Sequence, residues 1–224
     1  MQLCYIKNMY IQSILMFIIS SSIHLYASQT KNRLYRNISK VFILPSLILL
    51  YYLKAPEVDN IFIIALLFSW FGDLLLIGKG KKFFTLGGIS FMISHIFFII
   101  SYSKHIHDIN SFIILIILAA IIYTVITVIV FKHLIKYLPK LLIFPMFIYL
   151  LTNASMNCGA LSLLLSNQTL PSLIVFIGAL SFFISDTNLF FVRFKVELKE
   201  QNHFVVMLTY ILAELLIVIG MINI

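Results

Sequence analysis

Charge is scarce in this chain. Only 11% of its 224 residues are Asp, Glu, Lys or Arg, and 16 basic residues outnumber eight acidic ones. A soluble domain of this length exposes more polar surface than that composition supplies, so lipid takes the place of water as solvent. Cysteine is scarce too: Cys4 and Cys158 lie in or beside apolar segments and lack metal-type spacing. That excludes a disulfide framework and a Cys-based metal centre. No nucleophile elbow, phosphate loop or HExxH motif occurs. The formal charge of +8 raises nucleic acid as a partner. The basic residues, however, sit in short clusters between apolar runs and form neither stripe nor tail, so nucleic-acid binding is set aside.

What is abundant is apolar: 62% of the residues are hydrophobic and 21 are Phe. A membrane crossing needs about 20 such residues. Runs over about 9–27, 38–54, 60–78, 83–103, 110–131, 139–166, 171–192 and 203–223 predict eight transmembrane helices. The fold class is therefore all-α, a polytopic membrane protein, with 1–224 treated as one membrane domain. The second run is short for a span. The sixth is long, which suggests a kink or early end near Asn157 or Gly159. The first resembles a signal peptide, with Lys7, an apolar stretch and the ending Leu25-Tyr26-Ala27. Lys31, Arg33, Arg36 and Lys40 follow it and resist translocation, which favours a retained helix.

The basic residues also set an orientation. Loops after helices one, three, five and seven carry Lys31/Arg33/Arg36/Lys40, Lys79/Lys81/Lys82, Lys132/Lys136/Lys140 and Arg193/Lys195/Lys199. Only Lys7, Lys54 and Lys104 belong to the other face. Positive residues stay cytoplasmic, so both termini are expected outside, in a bacterial cytoplasmic membrane. The clusters serve topology first, with a secondary role in holding lipid phosphates.

A weak internal repeat runs through the same segments. Lys40 to Pro45 matches Lys140 to Pro145, Gly72-Asp73 matches Ser185-Asp186, and Met92 to His95 parallels Met207 to Tyr210. These matches keep one order, and they predict two parallel four-helix halves related by an axis along the membrane normal. Transporters build central sites from such repeats, although architecture alone does not make a transporter.

Three acids fall well inside the spans: Asp73, Asp186 and Glu214. A charge in the bilayer costs roughly 2.5–3.5 kcal/mol, so such groups face the bundle interior and usually have a task. Counted from the basic loops, Asp73 is ~9 Å and Asp186 ~10 Å deep, a level at which a soluble head group reaches them. Glu214 lies at ~16 Å and His95 at ~20 Å, with Lys40 marking the mouth. Two carboxylates sharing a low-dielectric site do not both ionise readily, which yields one proton donor and one base. Acid-catalysed hydrolysis needs that division, but a structural pair pinning helices three and seven has the same sequence signature. His95 suits orientation of a carboxylate or of substrate, and equally a hydrogen-bonded core position. Tyr210 suits packing with a satisfied hydroxyl. Asn153 and Asn157 read as interhelical glue or as donors to a ligand. A zinc site from His95 and the aspartates lacks a close His/Cys ligand pair, so neither metal nor cofactor is expected. Pro45 and Pro145 are expected to bend their helices or open the packing.

At these residues the chain resembles the YhhN-type lysoplasmalogenase family of eight-helix membrane proteins. The segments concerned are Ser39-Lys40 through Pro45, Phe68 to Asp73 and the three leucines after it, Gly88 to His95, Gly178 to Asp186, and Met207 to Gly220. The resemblance implies hydrolysis of the vinyl ether bond of lysoplasmalogens, releasing a fatty aldehyde and a glycerophospho-head-group compound. It implies a lysophospholipid substrate and Asp73 and Asp186 as the catalytic pair. Lys40, His95, Asn157, Tyr210 and Glu214 are the candidate substrate-binding residues, Lys40 for the lipid phosphate. The chain departs from the family at Ser39-Lys40-Val41, where Thr-Lys-Pro is expected, and at Glu214, where Gln is common. The rival reading is a proton-coupled transporter or lipid exporter using the same carboxylates.

Overall fold

The computed structural model describes residues 2–108, 110–195 and 203–224, and side chains from residue 8 onward. The Cys4 and Lys7 side chains and Lys199 lie outside what is described. Eight helices follow one another: α1 (Gln2–Gln29), α2 (Arg33–Lys54), α3 (Asn60–Ile77), α4 (Lys81–Ser103), α5 (Ile113–Leu134), α6 (Ile143–Asn167), α7 (Leu170–Phe194) and α8 (His203–Ile222). All eight are long and apolar enough to cross a membrane.

Local chemistry sets the ends. The Asn32 side chain accepts the Tyr35 amide at 3.3 Å and starts α2, so the helix takes in Arg33 and Arg36 and reaches 22 residues. The second span is therefore of full length, because its basic first turn is helical. Asp59 caps α3 through the Ile61 amide at 3.0 Å. The same carboxylate takes Lys104 Nζ at 2.6 Å and Ser101 Oγ at 2.7 Å, tying α4 to the start of α3. Thr169 and Ser172 form a capping box at the start of α7. Short 3₁₀ turns flank α5 and open α6.

α6 runs unbroken past Asn157 and Gly159 to Asn167, so the expected early end is absent. Pro145 sits in its first turn, where a missing N–H removes no helical hydrogen bond. Pro45 lies inside α2 and leaves the Val41 carbonyl without its helical donor. The Trp70 indole of α3 donates to that carbonyl at 3.0 Å, which converts the defect into an interhelical tie.

Packing repeats after four helices. α1 lies along α2 and α5 along α6; α3 pairs with α4 and α7 with α8; α2 meets α3 and α6 meets α7. Across the halves, α4 packs on α6 and α2 on α8. The frame departs from this exchange at α1, which also touches α8, and at α5, whose buried residues are Tyr123, Thr127 and Leu134. The tightest pair is α7/α8: a Cβ at Gly178 would stand 2.9 Å from the Ile217 nitrogen, and one at Gly220 would stand 2.8 Å from the Pro171 carbonyl. Hydroxyls bridge the pairs as well. Ser94 reaches the Ala65 carbonyl at 2.8 Å and Ser185 the Val206 carbonyl at 2.9 Å.

Candidate active site

Antiparallel succession places the described basic clusters at one end of the bundle, and the two aspartates point inward near that end. Asp73 is four residues before the end of α3 and Asp186 eight before the end of α7. Arg193 belongs to the last turn of α7, whereas Lys79 follows α3, so the two depth markers are not equivalent.

Both carboxylates are enclosed, with 1% of Asp73 and 5% of Asp186 exposed. They are held in different ways. Asp73 has both oxygens engaged: Oδ1 faces Lys40 Nζ of α2 at 3.0 Å, and Oδ2 accepts from the Tyr210 hydroxyl of α8 at 2.8 Å. Asp186 receives both of its hydrogen bonds on Oδ2, from the Tyr149 hydroxyl at 2.5 Å and Asn153 Nδ2 at 2.7 Å, both on α6. His95 Nε2 of α4 stands 3.9 Å from that same oxygen. Oδ1 of Asp186 accepts no hydrogen bond among the described residues. The two aspartates are close enough for the charge of one to act on the other.

Each aspartate thus contacts a helix of the other half. Tyr210 reaches Asp73 and its repeat counterpart His95 faces Asp186, while the Phe182 ring lies between His95 and Tyr210 with centroid distances of 4.9 and 5.5 Å. Phe91 and Phe190 complete an aromatic wall against Tyr210 and Tyr149.

The candidate residues separate accordingly. Lys40 and Tyr210 touch Asp73. Among the described residues, His95 has no hydrogen-bond partner on either nitrogen, and it lies beside Asp186 without bonding it. Asn157 touches neither carboxylate: its Nδ2 donates to the carbonyl of Asn153 at 3.0 Å and approaches Asn153 Oδ1 at 3.2 Å. Tyr123 of α5 donates to Asn157 Oδ1 at 3.4 Å, so Asn157 orients the residue that orients Asp186. Glu214 is fully buried, and among the described residues neither of its oxygens meets a donor in hydrogen-bond geometry. The Ser69 and Tyr210 hydroxyls stand beside it but are committed to Ser94 and Asp73. Among the described residues, no three His, Cys, Asp or Glu side chains gather as a metal-ligand set.

Tyr149 is the partner that sequence reasoning missed. Its signal was the spacing Tyr149, Asn153, Asn157, three polar residues at i, i+4 and i+8 on one face of an apolar helix. Two open grooves exist: one of about 670 Å³ between the ends of α1 and α2, lined by Tyr26, Thr30, Asn32 and Tyr35 among others, and one of about 460 Å³ around Gln168 and Leu170. Neither is lined by a site carboxylate.

The profile of the YhhN family matches residues 35–221, from the first turn of α2 to the last of α8. The chain belongs to the YhhN family. The matched region carries every candidate site residue of this YhhN protein and leaves the whole of α1 outside it. No curated protein and no solved structure matches the chain.

Proposed function

We propose that this protein is a membrane lysoplasmalogenase, cleaving the vinyl ether bond of a lysophospholipid by aspartate general acid/base catalysis. The observation that carries the reading is the unequal holding of the two buried carboxylates. Asp73 has a cation and a hydroxyl on its two oxygens, an arrangement suited to a persistent carboxylate. Asp186 has neutral donors on one oxygen and a free Oδ1, an arrangement suited to carrying a proton there.

Vinyl ether hydrolysis needs those two states. Asp186 Oδ1–H protonates the β-carbon of the alkenyl chain, and the π electrons form the new C–H bond, leaving an oxocarbenium ion. The Asp73 carboxylate and the aromatic faces of Phe91 and Phe182 stabilise that cation in a water-poor setting. Water adds to the α-carbon and gives up its proton to a carboxylate. The hemiacetal then collapses to the fatty aldehyde and the free glycerol hydroxyl. Lys40 keeps Asp73 in place and at the same time faces the basic end. That end is the cytoplasmic one on the positive-inside rule, so substrate enters from the inner leaflet, and local opening of the bundle admits it to the enclosed aspartates.

The test is aldehyde release from lysoplasmalogen by purified wild type, Asp73→Asn and Asp186→Asn. Each variant is expected to lose about 10²–10⁴-fold in turnover, the usual contribution of a positioned acid or base. Unchanged turnover in both variants sinks the mechanism. A folded wild type that releases no aldehyde sinks the activity itself.

A further inference from the structure

Beyond the aspartates, toward the basic end, lies a second set of polar groups, of which the chemistry above uses Lys40 alone. His24 of α1 is buried against α2, with 1% of its surface exposed. Its Nδ1 meets Ser39 Oγ at 3.1 Å. Ser39 Oγ spends its own hydrogen on the Tyr35 carbonyl at 2.7 Å, so Nδ1 is the donor, and the Arg36 carbonyl also lies beside the ring. Nε2 is left with no partner among the described residues. At the start of α8, buried Nδ1 of His203 has no partner among the described residues either.

These two imidazoles share their surroundings. Arg36 and Lys40 act electrostatically on both, His203 acts on His24, and Arg193 of α7 acts on His203. Among the described residues, every charged side chain acting on either ring is basic or an imidazole, and the carboxylate in contact with the set is Asp73, through Lys40. Gathering cations where the dielectric is low is unfavourable unless an anion completes the group. Lys40 uses one of its three donors on Asp73, and two remain.

We propose that His24, Arg36, Lys40 and His203, with Arg193 at their edge, bind a phosphate oxyanion. A guanidinium fork and an ammonium match the several acceptors of a phosphate, and the anion's charge favours the imidazolium form of His24, in which Nε2 also carries a hydrogen to donate. The groove between α1 and α2 is lined by Ile23 and Tyr35, the chain neighbours of His24 and Arg36, and offers an approach from the interface. The site deepens the lysoplasmalogenase reading and rests on it for the ligand's source. In a glycerophospholipid the phosphorus is five bonds from the sn-1 oxygen, roughly 6 Å at ordinary bond lengths. A phosphate held at Lys40 therefore leaves the ether bond one step deeper, beside the aspartates.

Binding separates this site from the chemistry. The full-length protein in detergent is titrated with a saturated 1-O-alkyl lysophosphoethanolamine, which has no vinyl ether to cleave, and with the 1-O-alkylglycerol of equal chain length. Inorganic phosphate is added as competitor. Arg36→Gln and His24→Asn are each expected to weaken the phospholipid about tenfold, one charge-assisted hydrogen bond, and to leave the alkylglycerol within about twofold. Arg36→Lys, which keeps the charge, retains most of the affinity and controls for folding. Displacement by millimolar phosphate marks a site open to the free ion; its failure with discrimination intact marks a lipid head-group site, and both outcomes support phosphate recognition. Equal loss for both ligands, or unchanged phospholipid affinity in both variants, overturns it. A protein that hydrolyses nothing still reports on this site, and one that releases aldehyde without discriminating loses the phosphate site alone.

Discussion

Replacing Trp70 with Phe removes the one donor that Val41's carbonyl has inside the bundle. Pro45 cannot supply the helical N–H, and water is scarce at that depth, so the carbonyl is left unpaired. Orphaning such a group costs about 1–3 kcal/mol, in addition to the packing lost from indole to phenyl. Pro45→Ala separates the two contributions. Alanine restores the amide that bonds Val41's carbonyl, so the indole becomes dispensable as a donor while its packing stays the same. The Trp70→Phe penalty is therefore expected to fall by about 1–2 kcal/mol in the Pro45→Ala background. Unfolding is followed by far-UV circular dichroism in mixed micelles of rising SDS content, because the variant deletes the only Trp of the chain. Penalties that agree within about 0.5 kcal/mol in the two backgrounds refute the tie between the proline and the indole.

Two further expectations concern stability. Asp59 lies outside the spans: burial pushes its carboxyl upward, but hydrogen bonds from Lys104, Ser101 and the Ile61 amide outweigh this and hold it below its ordinary 3.8. Such a group stabilises above the unfolded-chain value and loses its contribution as pH falls through the lower folded value. Asp59→Ala is therefore expected to cost about 1–2 kcal/mol at pH 7, with the gap to wild type closing in acid below 3.8; a gap independent of pH refutes the assignment. At the α7/α8 contact, Gly178→Ala drives a methyl to 2.9 Å from a backbone nitrogen and is expected to cost about 1–3 kcal/mol. Gly88→Ala, with nothing within 4 Å of the new carbon, is expected to be neutral or stabilising by up to about 1 kcal/mol in the same SDS titration.

The eight helices were legible because a 20-residue apolar run has few other uses, and their ends moved only where short-range chemistry intervened. Arg33 and Arg36 looked like loop and proved to be the first turn of α2, since the Asn32 cap begins the helix before them. Pro145 looked like a bend, yet a proline in a first turn costs no hydrogen bond. At the site, Asp73, Asp186, Lys40 and Tyr210 could be named from the scarcity of polar residues inside apolar runs. Their partnership could not, because which oxygen meets which donor depends on helix rotation and on contacts 137 residues apart, such as Tyr210 with Asp73. His24 escaped notice for a related reason: a lone histidine in an apolar helix carries no spacing signal, and its meaning comes from Arg36, Lys40 and His203 arriving from other helices.

The crossing of Tyr210 and His95 between the halves makes neither half self-sufficient. An isolated half carries an aspartate and, on its last helix, the residue that serves the opposite aspartate. Two identical halves would therefore form a complete pocket only as a pair, and symmetry would make both carboxylates alike, with neither marked as acid or base. A single chain lifts that constraint, and the lysine on one side with the tyrosine and asparagine on the other is the asymmetry it permits.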